Sequence, residues 1–165
     1  MIFSAIAAVA DNNVIGYKGD MTWGKMRADL KYFKQNTIGK WCILGRKSYN
    51  ALGNKVLPGR KFIVVTRDKD FVAEDSLVVH DIKDAINHPA LKGEEEVMIL
   101  GGGEIYKLAM EYTDRVHLTK IHASFEGDTF FPELETDKWI LSSADYHVAD
   151  ENNPHSYTFL VFDRK

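Results

Sequence analysis

The chain is predicted to be a single α/β domain over residues 1–165, with a mostly parallel central sheet of about eight strands, helices on both faces and an antiparallel C-terminal edge hairpin. Three observations lead there. Short apolar runs alternate with amphipathic stretches up to about Met110. Beyond that point strand-like runs follow one another, with no helix between the last two. The length of 165 residues, with 45% hydrophobic and 27% charged, suits one globular domain with a full core.

The elements follow in order. The run Ile2 to Ala10 reads as a first core strand, and Met26, Leu30 and Phe33 recur at helical spacing in a helix from about Lys25 to Asn36. Then come a strand at Trp41 to Leu44, a helix near Lys47 to Leu52 and strands at Phe62 to Thr66 and Leu77 to Val79. A helix near Ile82 to Asn87, a strand at Val97 to Leu100 and a helix near Glu104 to Met110 complete the alternating part. "RVHLTKIHA", "WILSSADYHV" and "SYTFLVFDR" are strands, and "HVADENNPHSY", polar and holding Asn-Pro, is the loop of the terminal hairpin.

Bulk properties exclude several classes. A net charge of −3 gives no global reason to expect nucleic acid, so an anionic ligand must be held by a local basic site. The one cysteine, Cys42, lies inside "WCILG" and reads as a small buried hydrophobe in a reducing, hence cytoplasmic, compartment. No basic residue precedes "IFSAIAAVA", and no run approaches the roughly 18 apolar residues of a membrane span, so no membrane partner is expected. A monomer is the default for a compact chain of this size.

Within "MTWGKMRADLKYFKQNT", Asp29 falls at the edge of the helix's apolar face. Helix-dipole stabilisation in the first turns would account for it as well as a catalytic role would. Elsewhere, two strands pass through glycine directly into helices. "ILGRKSYNAL" carries Arg46, Lys47 and Ser48 after Gly45, and "MILGGGEIYKLAM" carries Gly101, Gly102 and Gly103. Unpaired N–H groups at such helix starts bind anions, and glycine lets a ligand approach the main chain. Neither turn matches the common nucleotide motifs, but two at strand carboxyl ends fit a ligand with two phosphates, hence a dinucleotide. "FIVVTR" ends in Thr66 and Arg67, which suit a phosphate monoester if Arg46 converges there, favouring NADP(H) over NAD(H). A solvated strand end explains Arg67 equally well. The loop "GYKGDMTWGK" has three glycines and Trp23, the composition of a lid.

"AIAAVADNNVIG", the tryptophan before the acidic helix, "LGRKSY", "LPGRKFIVVT", "ILGGGEIY" and "LTKIHASFEGDTFFP" together resemble the dihydrofolate reductase family, in order and spacing, over nearly the whole chain. The resemblance implies NADPH-dependent reduction of 7,8-dihydrofolate to 5,6,7,8-tetrahydrofolate, in support of one-carbon metabolism and thymidylate synthesis. It implies that dihydrofolate and antifolate small molecules are the partners. It implies that Asp29 hydrogen-bonds the pterin at N3 and the 2-amino group and assists protonation at N5, with Thr119 supporting the carboxylate and Trp23 beside it. Ile6, Ala8, Phe33, Leu52 and Leu57 would line the substrate pocket, and Arg60 would pair with the α-carboxylate of the folate glutamate.

On the cofactor side the resemblance implies nicotinamide contacts from Ala8, Ile15, Gly16 and Met21 to Trp23. Gly45, Arg46, Lys47 and Ser48 would meet the pyrophosphate, and Thr66 and Arg67 with Arg46 the 2′-phosphate. Gly101 and Gly102 match a peptide that the family holds cis, with Gly103, Glu104, Ile105 and Tyr106 beside it. The chain departs from the family in having Thr22 and Arg27 where prolines are usual, one extra residue between Trp23 and Asp29, and a longer "GNKVLPGR".

Hydride chemistry belongs to the cofactor, and the protein must supply positioning and a proton. His80, His88, His117, His122, His147 and His155 are scattered over late strands, turns and the terminal loop, so they read as structural or exposed, with no metal site. Asp29 remains for the proton side, its pKa raised by an apolar setting. Two other readings share these features: a same-fold reductase acting on another heterocycle, such as a pyrimidine of riboflavin synthesis, and a nucleotide-binding module without turnover.

Overall fold

Apolar alternation along the first strand sets the layers. The computed structural model describes residues 1–16 and 23–165. Its elements are β1 (Ile2–Ala10), β2 (Val14–Gly16), α1 (Arg27–Thr37), β3 (Trp41–Gly45), α2 (Arg46–Ala51), β4 (Lys61–Val65), β5 (Leu77–Val79) and α3 (Ile82–Ile86). There follow β6 (Glu96–Gly101), α4 (Gly103–Ala109), β7 (Arg115–Ile121), β8 (Thr129–Phe130), β9 (Trp139–His147) and β10 (Tyr157–Arg164). Eight of the strands form one sheet in the order β5-β4-β3-β6-β1-β7-β10-β9. The first six are parallel, and β10 runs antiparallel to both β7 and β9, as expected for a terminal edge hairpin.

Side chains alternate across the sheet, so each strand feeds two cores. Phe3 and Ala5 of β1 pack with Ile43, Ile63 and Ile99 under α3 and α4. Ile6 packs on the other face with Cys42, Leu44 and Met98, covered by Tyr32 and Phe33 of α1 and Tyr49 of α2. A third cluster, with Trp23, Met26, Ile121 and Tyr157, closes the end of the sheet beyond α1. Cys42 is fully buried and burial pushes its thiol up to about 12, so it serves as an inert small hydrophobe.

Two features depart from the expectation. β2 and β8 pair as a separate antiparallel ribbon, too short to show a period of two in the sequence. Leu30, expected on the apolar face of α1, is 45% exposed. The inward stripe instead runs through Met26, Asp29, Phe33 and Thr37, at offsets of three and four, and leaves Leu30 outside it. Asp29 therefore occupies a position that the packing would otherwise give to an apolar residue. Among the described residues, no helix is long and apolar enough to cross a membrane.

Candidate active site

The carboxyl end of the parallel strands gathers the residues of interest, because loops there must connect each strand to the next helix. β1 lies between β6 and β7, and Ala8 of β1 is level with Thr119 of β7. α1 crosses this face, and the Thr119 hydroxyl donates a hydrogen bond to the Asp29 carboxylate. Burial raises the Asp29 carboxyl above its ordinary value, and the Thr119 hydrogen bond lowers it by less. Its charge raises the phenols of Tyr32 of α1, Tyr106 of α4 and Tyr157 of β10, burial being the larger cause in each. Such surroundings hold a proton on a carboxylate where a nearby cation would drive it off.

Trp23 is 3% exposed and packs with Met26, and its ring centroid lies 6.2 Å from that of Phe125. Phe33 and Leu57 line the edge of the second core, whereas Leu52 is half-exposed at the end of α2. Arg60 donates from its Nη1 to Thr37 Oγ1 at 3.1 Å and from its Nε to the Pro58 carbonyl at 3.0 Å. Among the described residues no carboxylate is paired with it in a salt bridge. A partly buried guanidinium held by neutral acceptors is suited to receive a carboxylate from a ligand.

The two glycine turns face each other. A Cβ on Gly45 would stand 2.9 Å from Ile105 Cγ1 of α4, and one on Gly101 would stand 2.6 Å from the Tyr106 ring, so only glycine lets α4 seat against both strands. Gly101 has φ +106, and the Gly101–Gly102 peptide is cis. Ser48 Oγ lies 3.3 Å from the Cβ position of Gly102, which brings the start of α2 against the start of α4. Both helices begin at glycines without a side-chain cap, Gly45 and Gly102, so no side chain at the cap takes up their first-turn N–H groups. Two glycine turns that each open a helix, brought side by side, fit the two phosphates of a dinucleotide.

Ile105 and Tyr106 serve this turn from beneath. The Tyr106 hydroxyl lies 2.6 Å from the Ile6 carbonyl and 2.7 Å from that of Leu100, tying β1 to β6. Ile15, from β2, approaches the Cβ position of Gly103 to 3.8 Å, and Gly16 ends that strand. Met21, the remaining nicotinamide contact expected, lies outside the described residues together with Thr22 and the rest of 17–22.

Arg46 and Arg67 follow neighbouring parallel strands whose ends pair at Gly45 and Val65, so they emerge side by side. Lys47 is exposed beside them, and Thr66 Oγ1 accepts from the Asp68 N–H at 3.1 Å. Each guanidinium already has a partner: Arg46 pairs with Asp68 at 2.8 Å over the Phe71 ring, and Arg67, 85% exposed, pairs with Glu104 at 3.0 Å. Exposed pairs of this kind are worth only about 0–1 kcal/mol, so a phosphate can displace either carboxylate.

Sequence reasoning passed over three residues near Asp29. Tyr32 stacks on Phe159 with centroids 4.1 Å apart and shares a hydrogen bond of 3.2 Å with His117 Nδ1. His117 is thus half-buried beside α1, on the structural side of the reading given to the histidines. Burial lowers its pKa, Glu96 partly opposing, and the position two residues before Thr119 on one strand was the available signal. The third, Asn153, reaches α1 from the terminal hairpin, and no local pattern marks it.

The family model described as dihydrofolate reductase matches residues 2–164. The chain is 40% identical over 161 residues to a dihydrofolate reductase of Staphylococcus haemolyticus, covering 98% of this chain and 95% of that one. It is 39% identical over 165 residues to that of Haemophilus influenzae, with both chains covered completely. The solved structure of dihydrofolate reductase from Enterococcus faecalis, complexed with NADP(H) and RAB-propyl, superposes with a TM-score of 0.92 at 35% identity, covering 99% of this chain and 96% of that one. With the fold, the facing glycine turns and the buried Asp29 in place, the chain belongs to the dihydrofolate reductase family.

Proposed function

We propose that the chain reduces 7,8-dihydrofolate to 5,6,7,8-tetrahydrofolate with NADPH, and that Asp29 handles the proton. The observation that carries this reading is the buried Asp29 carboxyl, raised by its surroundings, set across β1 from two glycine turns that open neighbouring helices. At about 4.8 Å per strand, β6 and β7 stand roughly 10 Å apart, which leaves room above Ala8 for two flat rings in contact.

NADPH, when bound, supplies a hydride from nicotinamide C4 to pterin C6. The residues here do the rest. Gly45 to Ser48 and Gly101 to Glu104 hold the pyrophosphate, Arg46, Thr66 and Arg67 hold the 2′-phosphate, and Ile15 and Ala8 lie against the nicotinamide. Asp29 accepts from the pterin at N3 and the 2-amino group, which fixes the ring's orientation. Its raised pKa makes it a better source of a proton than an ordinary carboxyl, and a water relays a proton to N5, so the C=N bond gains hydrogen at both atoms. Thr119 holds the carboxyl in register, Trp23 and Phe33 exclude water, and Leu52 and Leu57 flank the path to Arg60, which takes the glutamate α-carboxylate. The product is the reduced folate of one-carbon metabolism and thymidylate synthesis, antifolates compete for the same pocket, and the enzyme works as a cytoplasmic monomer without nucleic acid.

Steady-state consumption of NADPH with dihydrofolate, with NADH and a diaminopyrimidine antifolate run beside it, tests the reading. Antifolate-sensitive turnover that prefers NADPH is expected. Binding of NADPH without turnover would overturn it, and equal use of NADH would overturn the assignment of Arg46 and Arg67.

A further inference from the structure

The helix that carries Asp29 has no cap of its own. Its N-cap residue is Met26, 2% exposed, whose side chain makes no capping hydrogen bond to the first turn. The missing acceptor comes from 125 residues away, in the loop between β9 and β10, where Asn153 Oδ1 accepts from the Ala28 N–H at 2.9 Å. The Arg27 N–H, available because this position is not proline, reaches the Asn152 carbonyl at 3.4 Å.

That loop is built to present the amide. Asn153 is a polar side chain only 4% exposed. Its Nδ2 donates to Asp150 Oδ1 at 2.9 Å, and the backbones of Asp150 and Asn153 pair in both directions, at 2.9 and 3.2 Å. The Asn152 N–H adds a bond of 2.8 Å to the same Asp150 oxygen. Only one orientation of the amide satisfies both neighbours, with oxygen toward Ala28 and nitrogen toward Asp150. Two residues further on, His155 packs edge-on against Phe125 at 5.3 Å, and Phe125 in turn packs on Trp23. The loop thus holds Arg27 and Ala28 directly and reaches Trp23 through Phe125.

We propose that Asn153 is a positioning residue for the reaction: by capping the first turn of α1 from the terminal hairpin, it holds Asp29 where its carboxyl meets the pterin. The inference rests on the reading of Asp29 as the proton-handling group. An uncapped first turn frays, and Asp29 is the residue next to the freed N–H. Fraying moves the carboxyl and lets water reach it, so both the rate and its pH dependence should respond, while the anion cradles across the sheet should not.

The test uses the full chain with Asn153→Ala, the exchange of Asp150→Asn with Asn153→Asp, and Asp29→Asn beside them. The exchange keeps an acceptor for Ala28 and a donor–acceptor pair within the loop. For Asn153→Ala, kcat is expected to fall about 10-fold, as for a small misplacement, with the NADPH Kd within about twofold of the parent. Its pH midpoint for kcat should move down, toward an ordinary carboxylate. The exchange should restore kcat to within about threefold. A lower Tm with unchanged kcat and pH midpoint would reduce Asn153 to a plain cap and overturn the proposal, as would a loss that the exchange leaves in place. If Asn153→Ala does not fold, Asn153→Gln, which misplaces the oxygen by one methylene, is judged by the same measurements. Full turnover in Asp29→Asn would overturn the reading of Asp29 itself; lost turnover there with a parent-like Asn153→Ala would overturn only the positioning role.

Discussion

Around Asp29 the protein gathers neutral groups: the Thr119 hydroxyl, the phenols of Tyr32, Tyr106 and Tyr157, and an apolar cluster with Trp23 and Met26. Around Gly45 and Gly101, on β3 and β6 across β1 from Thr119, it sets helix starts and the exposed guanidiniums of Arg46 and Arg67. The difference fits the two tasks proposed for them. A carboxyl that must keep its proton needs low polarity, because any nearby cation would lower its pKa. A phosphate that must bind and leave needs positive charge that water still reaches, so that its desolvation is not complete. One sheet serves both because β1 stands between the two halves.

The sharpest way to break this comparison is Asp29→Asn. Turnover with NADPH at neutral pH should fall by about 10²–10³-fold, the scale of a lost general acid, with NADPH affinity unchanged. The same variant should be more stable than the parent at pH 7. The sign follows from linkage: the folded-state pKa of Asp29 is raised, so its contribution to stability is present below the ordinary value of 3.8 and is lost as pH rises through the raised value. The Tm gap between variant and parent should therefore open with rising pH and vanish in acid, as melting curves at several pH values would show.

On the other side, Arg67→Ala should weaken NADPH by about 10-fold, near 1.4 kcal/mol, and leave NADH unchanged, whereas Arg46→Ala, which also removes a pyrophosphate contact, should weaken both and NADPH more. Added salt should weaken NADPH binding in the parent while leaving the Asp29 midpoint in place, since only the exposed charges are screened. Fluorescence titration at two ionic strengths separates the halves. A smaller effect is expected for Thr119→Val. Its hydroxyl lowers the Asp29 pKa, so its loss should move the pH midpoint of kcat upward and cost about threefold in rate.

The smallest effect concerns α1 itself. Leu30→Ala should change stability by no more than about 0.5 kcal/mol, whereas Phe33→Ala, at the edge of the second core, should cost about 3 kcal/mol. This pair also shows where the sequence could and could not be read. The 3.6-residue period placed α1 to within two residues, but Leu30 and Asp29 are adjacent, and hydrophobicity alone assigns the inward position to leucine. Tertiary packing reversed that order, turning Asp29 inward and leaving Leu30 exposed. Strand ends at Gly45 and Gly101 were legible because glycine before a helix has few other uses.

Residues acting across long sequence separations were not legible. Asn153 caps a helix 125 residues away, and its polar loop composition is what any surface turn would show. The partners of Arg46 and Arg67 were equally hidden, since Asp68 and Glu104 meet them only once β3, β4 and α4 are side by side. The ribbon of β2 and β8 escaped because two or three residues cannot display an alternation.

The most direct test is to titrate the Asp29 carboxyl itself, following its carbon resonance by NMR across pH with Asp29→Asn as the assignment control. A midpoint clearly above 3.8 is expected from its burial among neutral groups. A midpoint at or below that value would mean that the carboxyl is ionised long before neutrality, and would contradict its role as the proton-handling group.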